Sequence, residues 1–166
     1  MFIRDLIAAL DRAGIRYCLV GGVAVNLHGI PRLTYDVDLV VAVDPESLRT
    51  VRQTLEALGL RCRVPVELES LGVDGERARL KQEKNLHAVT FTDPNNPLHE
   101  VDILVSPDVD ISEIIDRAET LDADGLPLRV ASLRDLIAMK RIAGREQDLS
   151  DAEHLERLLE SRGEQP

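Results

Sequence analysis

LVGGVAVNLHGIPRLTYDVDLVV, Leu19 to Val41, is the stretch whose pattern decides the fold. An apolar strand runs into Gly21-Gly22, a short helical segment follows, and a β-branched run then carries Asp36 and Asp38 two residues apart. Side chains alternate along a strand, so both aspartates point to one face of a sheet. Further along, HEVDILV (His99 to Val105) is another strand with an acid inside it. Asp102, flanked by Val101 and Ile103, points away from its apolar neighbours, and Glu100 shares its face. Three carboxylates converging at a sheet edge repel one another unless a cation sits between them. Hard oxygen ligands at that density suit Mg²⁺, which keeps waters and shares its shell with substrate phosphates. The pattern points to metal-dependent phosphoryl chemistry.

The composition narrows the setting. At 166 residues the chain fits one domain with a real core, and its hydrophobic content is 44%. Aromatics are only 2%, so that core is built from Leu, Val, Ile and Ala, and base-stacking platforms are scarce. A net charge of −10 argues against a broad electrostatic footprint on nucleic acid, while leaving room for a local basic cleft. Cys18 and Cys62 sit in strand contexts without metal-ligand spacing and read as ordinary thiols. The sequence shows no signal peptide, lipidation motif or apolar run of membrane length. The expectation is a cytoplasmic protein with no membrane partner.

Working outward from the decisive stretch, Phe2 to Ala13 has helical spacing and stops at Gly14. Arg16 to Val20 and Asp36 to Val43 read as strands, and Val23 to His28 as the short helix between them. Asp44-Pro45 opens a helix with Asp44 as N-cap, continuing to about Leu58. Weak strands are expected at 61–64 and 66–71, and 74–83 fits a helix or a charged loop equally. Leu86 to Thr92 and Leu98 to Val105 read as an antiparallel pair joined by the turn signal DPNNP. After a polar stretch with some helical character at 111–118, Leu126 to Val130 reads as a strand. Ser132 to Asp135 resembles a capping box for a helix reaching Ala143, and a last helix is expected from Asp148 to Leu159 before a frayed tail at 161–166. The result is an α+β fold: a mixed β-sheet flanked by helices, with a C-terminal helical pair. We expect a single domain over 1–166, its core at about 1–130 and the C-terminal helices at about 131–160.

Gly-Gly, thirteen residues, Asp-x-Asp and a later Asp on a following strand together resemble the DNA polymerase β-like nucleotidyltransferase superfamily. HGIPRLTYDVDLVV looks most like the small stand-alone nucleotidyltransferases, with relatives of the AbiEii toxin family the nearest. The resemblance covers Ile15 to Val105 well and the C-terminal helices more loosely. It implies that Gly21-Gly22 hold a triphosphate, and that Asp36, Asp38 and Asp102 bind two Mg²⁺ ions for two-metal phosphoryl transfer. Asp102 would also assist deprotonation of the acceptor.

AbiEii-like relatives carry a lysine followed by an acid, and Lys140 with Asp148 looks similar; Lys140 would neutralise triphosphate charge. The ordinary alternatives are a solvated cation near a helix end for Lys140 and an N-cap for Asp148, with Arg141 and Arg145 competing for the cationic role. Arg32 is spaced to meet phosphate or to pair with an aspartate, Thr34 to orient the acidic strand, and His28 to end the short helix. The run Arg77, Arg79, Lys81, Lys84 is interleaved with Glu76 and Glu83 and reads as a solvated face. His87, His99 and His154 have no metal-ligand spacing.

The resemblance implies an enzyme that moves a nucleoside monophosphate from a nucleoside triphosphate such as ATP to an acceptor hydroxyl. The acceptor would be a tRNA or other RNA end, a protein or a small molecule, and the protein a toxin with an antitoxin partner. An antibiotic-modifying nucleotidyltransferase is the alternative within the same core. A non-catalytic nucleotide- or partner-binding module is the alternative in another class, but its mark would be loss of a metal carboxylate, and all three are present. The histidine-aspartate spacing of a phosphohydrolase is absent.

Overall fold

Leu6, Ile7 and Leu10 recur at helical spacing, and all three lie buried on helix α1 (Phe2–Arg12) in the computed structural model, which describes residues 2–106 and 108–163. Then come β1 (Tyr17–Leu19), α2 (Gly21–Leu27) and β2 (Asp36–Val41). Helix α3 (Pro45–Ala57) starts as its sequence directs: the Asp44 carboxylate accepts the Ser47 N–H at 2.9 Å and proline takes the first helical position. Strand β3 (Arg61–Cys62), α4 (Glu76–Lys84), β4 (Ala88–Asp93), β5 (Asn96–Leu104) and α5 (Ile111–Asp116) follow. The hairpin β6 (Glu119–Ala123) and β7 (Leu126–Val130) and the helices α6 (Leu133–Ala143) and α7 (Glu146–Ser161) complete the described chain. Among the described residues no helix is long and apolar enough to cross a membrane.

Among those residues seven strands form one mixed sheet in the order β3-β4-β5-β2-β1-β7-β6. The pairings β2–β5 and β1–β7 are parallel and the others antiparallel. Register then sorts the side chains by face. Val37 and Leu39 of β2 lie opposite Val101 and Ile103 of β5, which in turn face Phe91 and Val89 of β4. All six are buried, and this apolar face is the core. The opposite face of the same three strands carries Asp36, Asp38, Glu100, Asp102 and Thr90, all only half-buried. The fold thus puts its acids on the uncovered side of the central strands.

Three local expectations are corrected. Residues 66–71 are not a strand: Leu68–Gly72 is a 3₁₀ helix. Leu68 and Leu71 are both buried; three residues apart they share one face of a 3₁₀ helix, whereas a strand would point them oppositely. The polar stretch before β7 contains β6, closed onto it by a two-residue Asp124-Gly125 turn with φ of 52° and 76°. Those positive values at both central residues are the hairpin geometry that Asp-Gly favours. Asp148 is not an N-cap either: α7 begins at Glu146, with Arg145 as N-cap, so Asp148 lies inside the first turn. The segment 74–83, which fitted either state, is helical in α4. Ser132 caps α6 as expected, accepting the Asp135 N–H at 3.2 Å. The end of the expected frayed tail, 164–166, lies outside the described residues.

Phe91 is the largest fully buried side chain of the apolar face. Replacing it with alanine is expected to cost about 3–5 kcal/mol in urea-unfolding free energy, equally with and without Mg²⁺, because the cavity opens on the face away from the acids.

Candidate active site

The parallel pairing of β2 with β5 builds the site. It sets Asp38 directly beside Asp102 and Asp36 beside Glu100. One carboxylate oxygen from each of Asp36, Asp38 and Asp102 falls within 4.8 Å of the other two. Glu100, the rival for the third position, instead pairs with Arg63 at 3.1 Å. Asp102 is the acid that joins the cluster, and its buried Oδ1 has no hydrogen-bond partner among the described residues. An orphaned carboxylate oxygen among three converging acids is the donor set of a divalent cation, so the residues present fit Mg²⁺.

The Gly21-Gly22 turn is built around these acids. Gly21, at φ +62°, begins α2, and a Cβ there would sit 2.7 Å from the Asp38 Cβ and overlap its carboxylate. A Cβ on Gly22 would meet the Thr34 hydroxyl at 2.6 Å. The first requirement of this sequence is therefore room. The Gly22 N–H donates to the Asp38 carboxylate, and the Thr34 hydroxyl donates to Asp36 Oδ1 at 2.6 Å. Asn26 of α2 clamps the backbone of Arg32 from both sides, accepting its N–H at 2.5 Å and donating to its carbonyl at 2.8 Å.

Electrostatics follow from that crowding. Burial, then the neighbouring charges of Asp36 and Asp102, push the Asp38 carboxyl up to about 6, against the opposing pull of the Gly22 N–H and Lys140. Across a cavity of about 570 Å³ lie the cations Arg32, Lys140 and Arg145. Lys140 is only 6% exposed, on the apolar stripe Leu133, Leu136, Ile137 of α6, and so is no solvated cation. Its Nζ donates to Asp148 at 2.8 Å and lies 3.0 Å from Asp151. Arg145 reaches Asp148 at 2.5 Å, and Arg32 pairs with Asp151. Burial pushes the Asp148 carboxyl up, but the bonds from Arg145 and Lys140 outweigh it and hold it below the usual carboxylate range. Arg141 is turned to Glu156 at 2.6 Å and is not part of this group.

The structure therefore brings Asp36, Asp38, Asp102, Gly21, Gly22, Arg32, Lys140, Arg145 and Asp148 around one cavity. His87 lines its far end beside Asn85, to which it is hydrogen-bonded at 3.0 Å. His28 is buried, its Nε2 2.8 Å from the Ala131 carbonyl, and Tyr35 is 65% exposed. Two residues escaped sequence reasoning. Asp151 had a signal: with Asp148, Ala152, Leu155 and Leu159 it forms one buried helical stripe, and acids on such a stripe need partners. Asn26 had none, because its work is done on the backbone of a loop.

Two outcomes are expected. The raised Asp38 value means that the folded state binds more protons than the unfolded one between about pH 4 and pH 6, so this group lowers stability as pH rises through that window. In chelator, Asp38→Asn should exceed the wild type in unfolding free energy by about 1–2 kcal/mol at pH 7.5 and by much less at pH 4. A difference independent of pH would remove the electrostatic account. Gly21→Ala should leave the far-ultraviolet circular dichroism spectrum intact but displace Asp38, measured as loss of Mn²⁺ binding by electron paramagnetic resonance.

Comparison with known proteins agrees with this geometry. No curated protein matches the chain. Among solved structures it is similar to the antibiotic-resistance factor ANT(2″)-Ia, at 16% identity and a TM-score of 0.62, over 98% of this chain and 83% of that one. It is also similar to the lincosamide antibiotic adenylyltransferase LnuA with lincomycin bound, at 15% identity and TM-score 0.59, over 92% of each. An antigenic nucleotidyltransferase-like protein from Paracoccidioides brasiliensis matches at 19% identity and TM-score 0.56, over 92% of this chain and 73% of that one. At such identities the likeness is one of fold, and the fold is that of nucleotidyltransferases. The family model described as nucleotidyl transferase AbiEii toxin, Type IV TA system, matches residues 5–161, nearly the whole length, and the chain belongs to that family.

Proposed function

We propose that this nucleotidyltransferase moves a nucleoside monophosphate from a triphosphate such as ATP to an acceptor hydroxyl, with Asp36, Asp38 and Asp102 holding Mg²⁺. The observation that carries the reading is the triad itself: three carboxylate oxygens within 4.8 Å, one side chain with an orphaned oxygen, across a cavity from Lys140. Two Mg²⁺ ions bound there would supply charge neutralisation for the triphosphate and a lowered pKa for the attacking hydroxyl. The chain's own groups do the rest. Arg32, Lys140 and the Gly21-Gly22 backbone bind the triphosphate, and the C-terminal helices complete the site of a single domain. Asp102, beside the metal, assists deprotonation of the acceptor hydroxyl. The acceptor oxygen bonds to the α-phosphorus, the bond to the β-phosphate bridging oxygen breaks, and pyrophosphate leaves. Strand order supports the sidedness: the glycine turn follows β1, Asp102 lies on β5, and β2 runs between them. Phosphate then lies on the β1 side and the acceptor on the β5 side.

The family, described as the toxin of a type IV toxin–antitoxin system, supports a toxin kept in check by an antitoxin; a cytoplasmic location and an RNA end or a protein as acceptor complete this reading. A second reading, modification of a small molecule, is favoured by the fold shared with ANT(2″)-Ia and LnuA over at least 92% of this chain.

Isothermal titration of each of the four nucleoside triphosphates with Mg²⁺ tests the nucleotide site. Binding by the wild type, weakened at least tenfold in Asp36→Ala/Asp38→Ala and absent in chelator, is the expected result. Absence of binding for all four would sink the reading.

A further inference from the structure

Lys140 and Arg32 come from distant parts of the chain, one from α6 and the other from the loop before β2, yet both converge on a single atom. That atom is Oδ2 of Asp151, which lies 3.0 Å from Lys140 Nζ and also pairs with the Arg32 guanidinium. Two like charges held that close repel unless an anion lies between them. Asp151 is 5% exposed, so little water screens the arrangement. Both cations have capacity left over. An ammonium has three N–H donors, and two of Lys140's face Asp148 and Asp151. Among the described residues the buried Nε of Arg32 has no hydrogen-bond partner. A buried orphan donor on a side chain that lines the cavity is the mark of a ligand still to come.

Stability alone does not account for this cluster. Buried ion pairs recover at best their desolvation cost, and apolar residues of similar volume commonly do as well. Among the described residues the carboxylates that pair with Arg32, Lys140 and Arg145 are Asp148 and Asp151, leaving one positive charge over on the wall that faces the triad. Asn26 fixes the Arg32 backbone as well, so this side chain is held at both ends. Such double anchoring reduces the entropy lost when a ligand is gripped.

We infer that Asp151 is the positioning residue of the nucleotide site: its one oxygen gathers Arg32 and Lys140 into a preformed cradle for a Mg²⁺-bound triphosphate. This rests on the nucleotidyl-transfer reading above, because it needs the triphosphate to lie against Lys140. Asp151 itself touches no substrate; it acts through the two cations.

Inorganic tripolyphosphate with Mg²⁺ is the probe, since it carries the phosphates without a base. The wild type is expected to bind it, and Asp151→Asn to bind at least tenfold more weakly. In the background Arg32→Gln/Lys140→Gln, adding Asp151→Asn should change affinity less than twofold, since the groups through which it acts are gone. A purely structural role would instead give losses that add. A nucleotide-free signature accompanies this: the Lys140 ammonium, held by two carboxylates, should give a slowly exchanging nitrogen-15 signal that vanishes in Asp151→Asn while the remaining spectrum persists. Should Asp151→Asn fail to fold, the charge-balanced Arg32→Gln/Asp151→Asn takes its place, and it should bind more than twofold more weakly than Arg32→Gln alone, because Lys140 still depends on Asp151. Binding within twofold of Arg32→Gln alone overturns the inference. Wild-type binding that Asp151→Asn leaves within twofold, or additive losses, overturns it while the nucleotide site stands. A wild type that binds no tripolyphosphate overturns both.

Discussion

Three carboxylates held side by side repel, and the rest of this structure is arranged around keeping them there. The parallel register of β2 and β5 fixes the spacing, because main-chain hydrogen bonds along the ladder set Asp38 beside Asp102 whatever their charges prefer. The apolar alternates Val37, Leu39, Val101 and Ile103 lock that register, since a slip of one residue would turn all of them out of the core. Hydrogen bonds from Gly22 and Thr34 then hold the Asp38 and Asp36 carboxylates. Enough repulsion and desolvation survive to leave the Asp38 carboxyl at about 6. Local cost concentrated at one point of an otherwise consistent sequence is what a functional site looks like energetically.

Much of this was legible in the residues because the physics was local. Alternation in Tyr35–Val41 and Val101–Val105 puts the acids on one face, the Gly-Gly turn precedes them at fixed spacing, and the Asp44-Pro45 and Ser132–Asp135 caps mark helix starts. What stayed hidden depended on distant partners or on periods that mimic one another. Leu68 and Leu71 fit a strand in a short window, and only packing against α3 makes the 3₁₀ reading win. The β6 strand is an edge strand whose Thr120 and Asp122 are exposed, so it lacked an apolar signature, although the Asp124-Gly125 turn announced it. The role of Asp151 was unreadable for another reason: its partner Arg32 lies 119 positions away. No local pattern encodes that contact.

The C-terminal helices are the feature that turns an acidic sheet edge into a two-sided site. Without α6 and α7, Arg32 would be the one Lys or Arg among the described residues lining the cavity, against Asp36, Asp38, Asp102 and Asp108, and a triphosphate would meet net repulsion on approach. The helices bring Lys140 and Arg145 to the opposite wall, and bring Asp148 and Asp151 to hold them there. Lys140 is buried and without a counter-charge would carry an unoffset desolvation cost, and Arg145 is exposed and without one would be free to swing into solvent. With the aspartates beneath them, both stay aimed at the cavity, at the cost of cancelling most of their charge. The arrangement trades field strength for direction. That exchange suits a reaction whose leaving group is itself a polyanion, since a cradle that held pyrophosphate with three uncompensated cations would release it slowly.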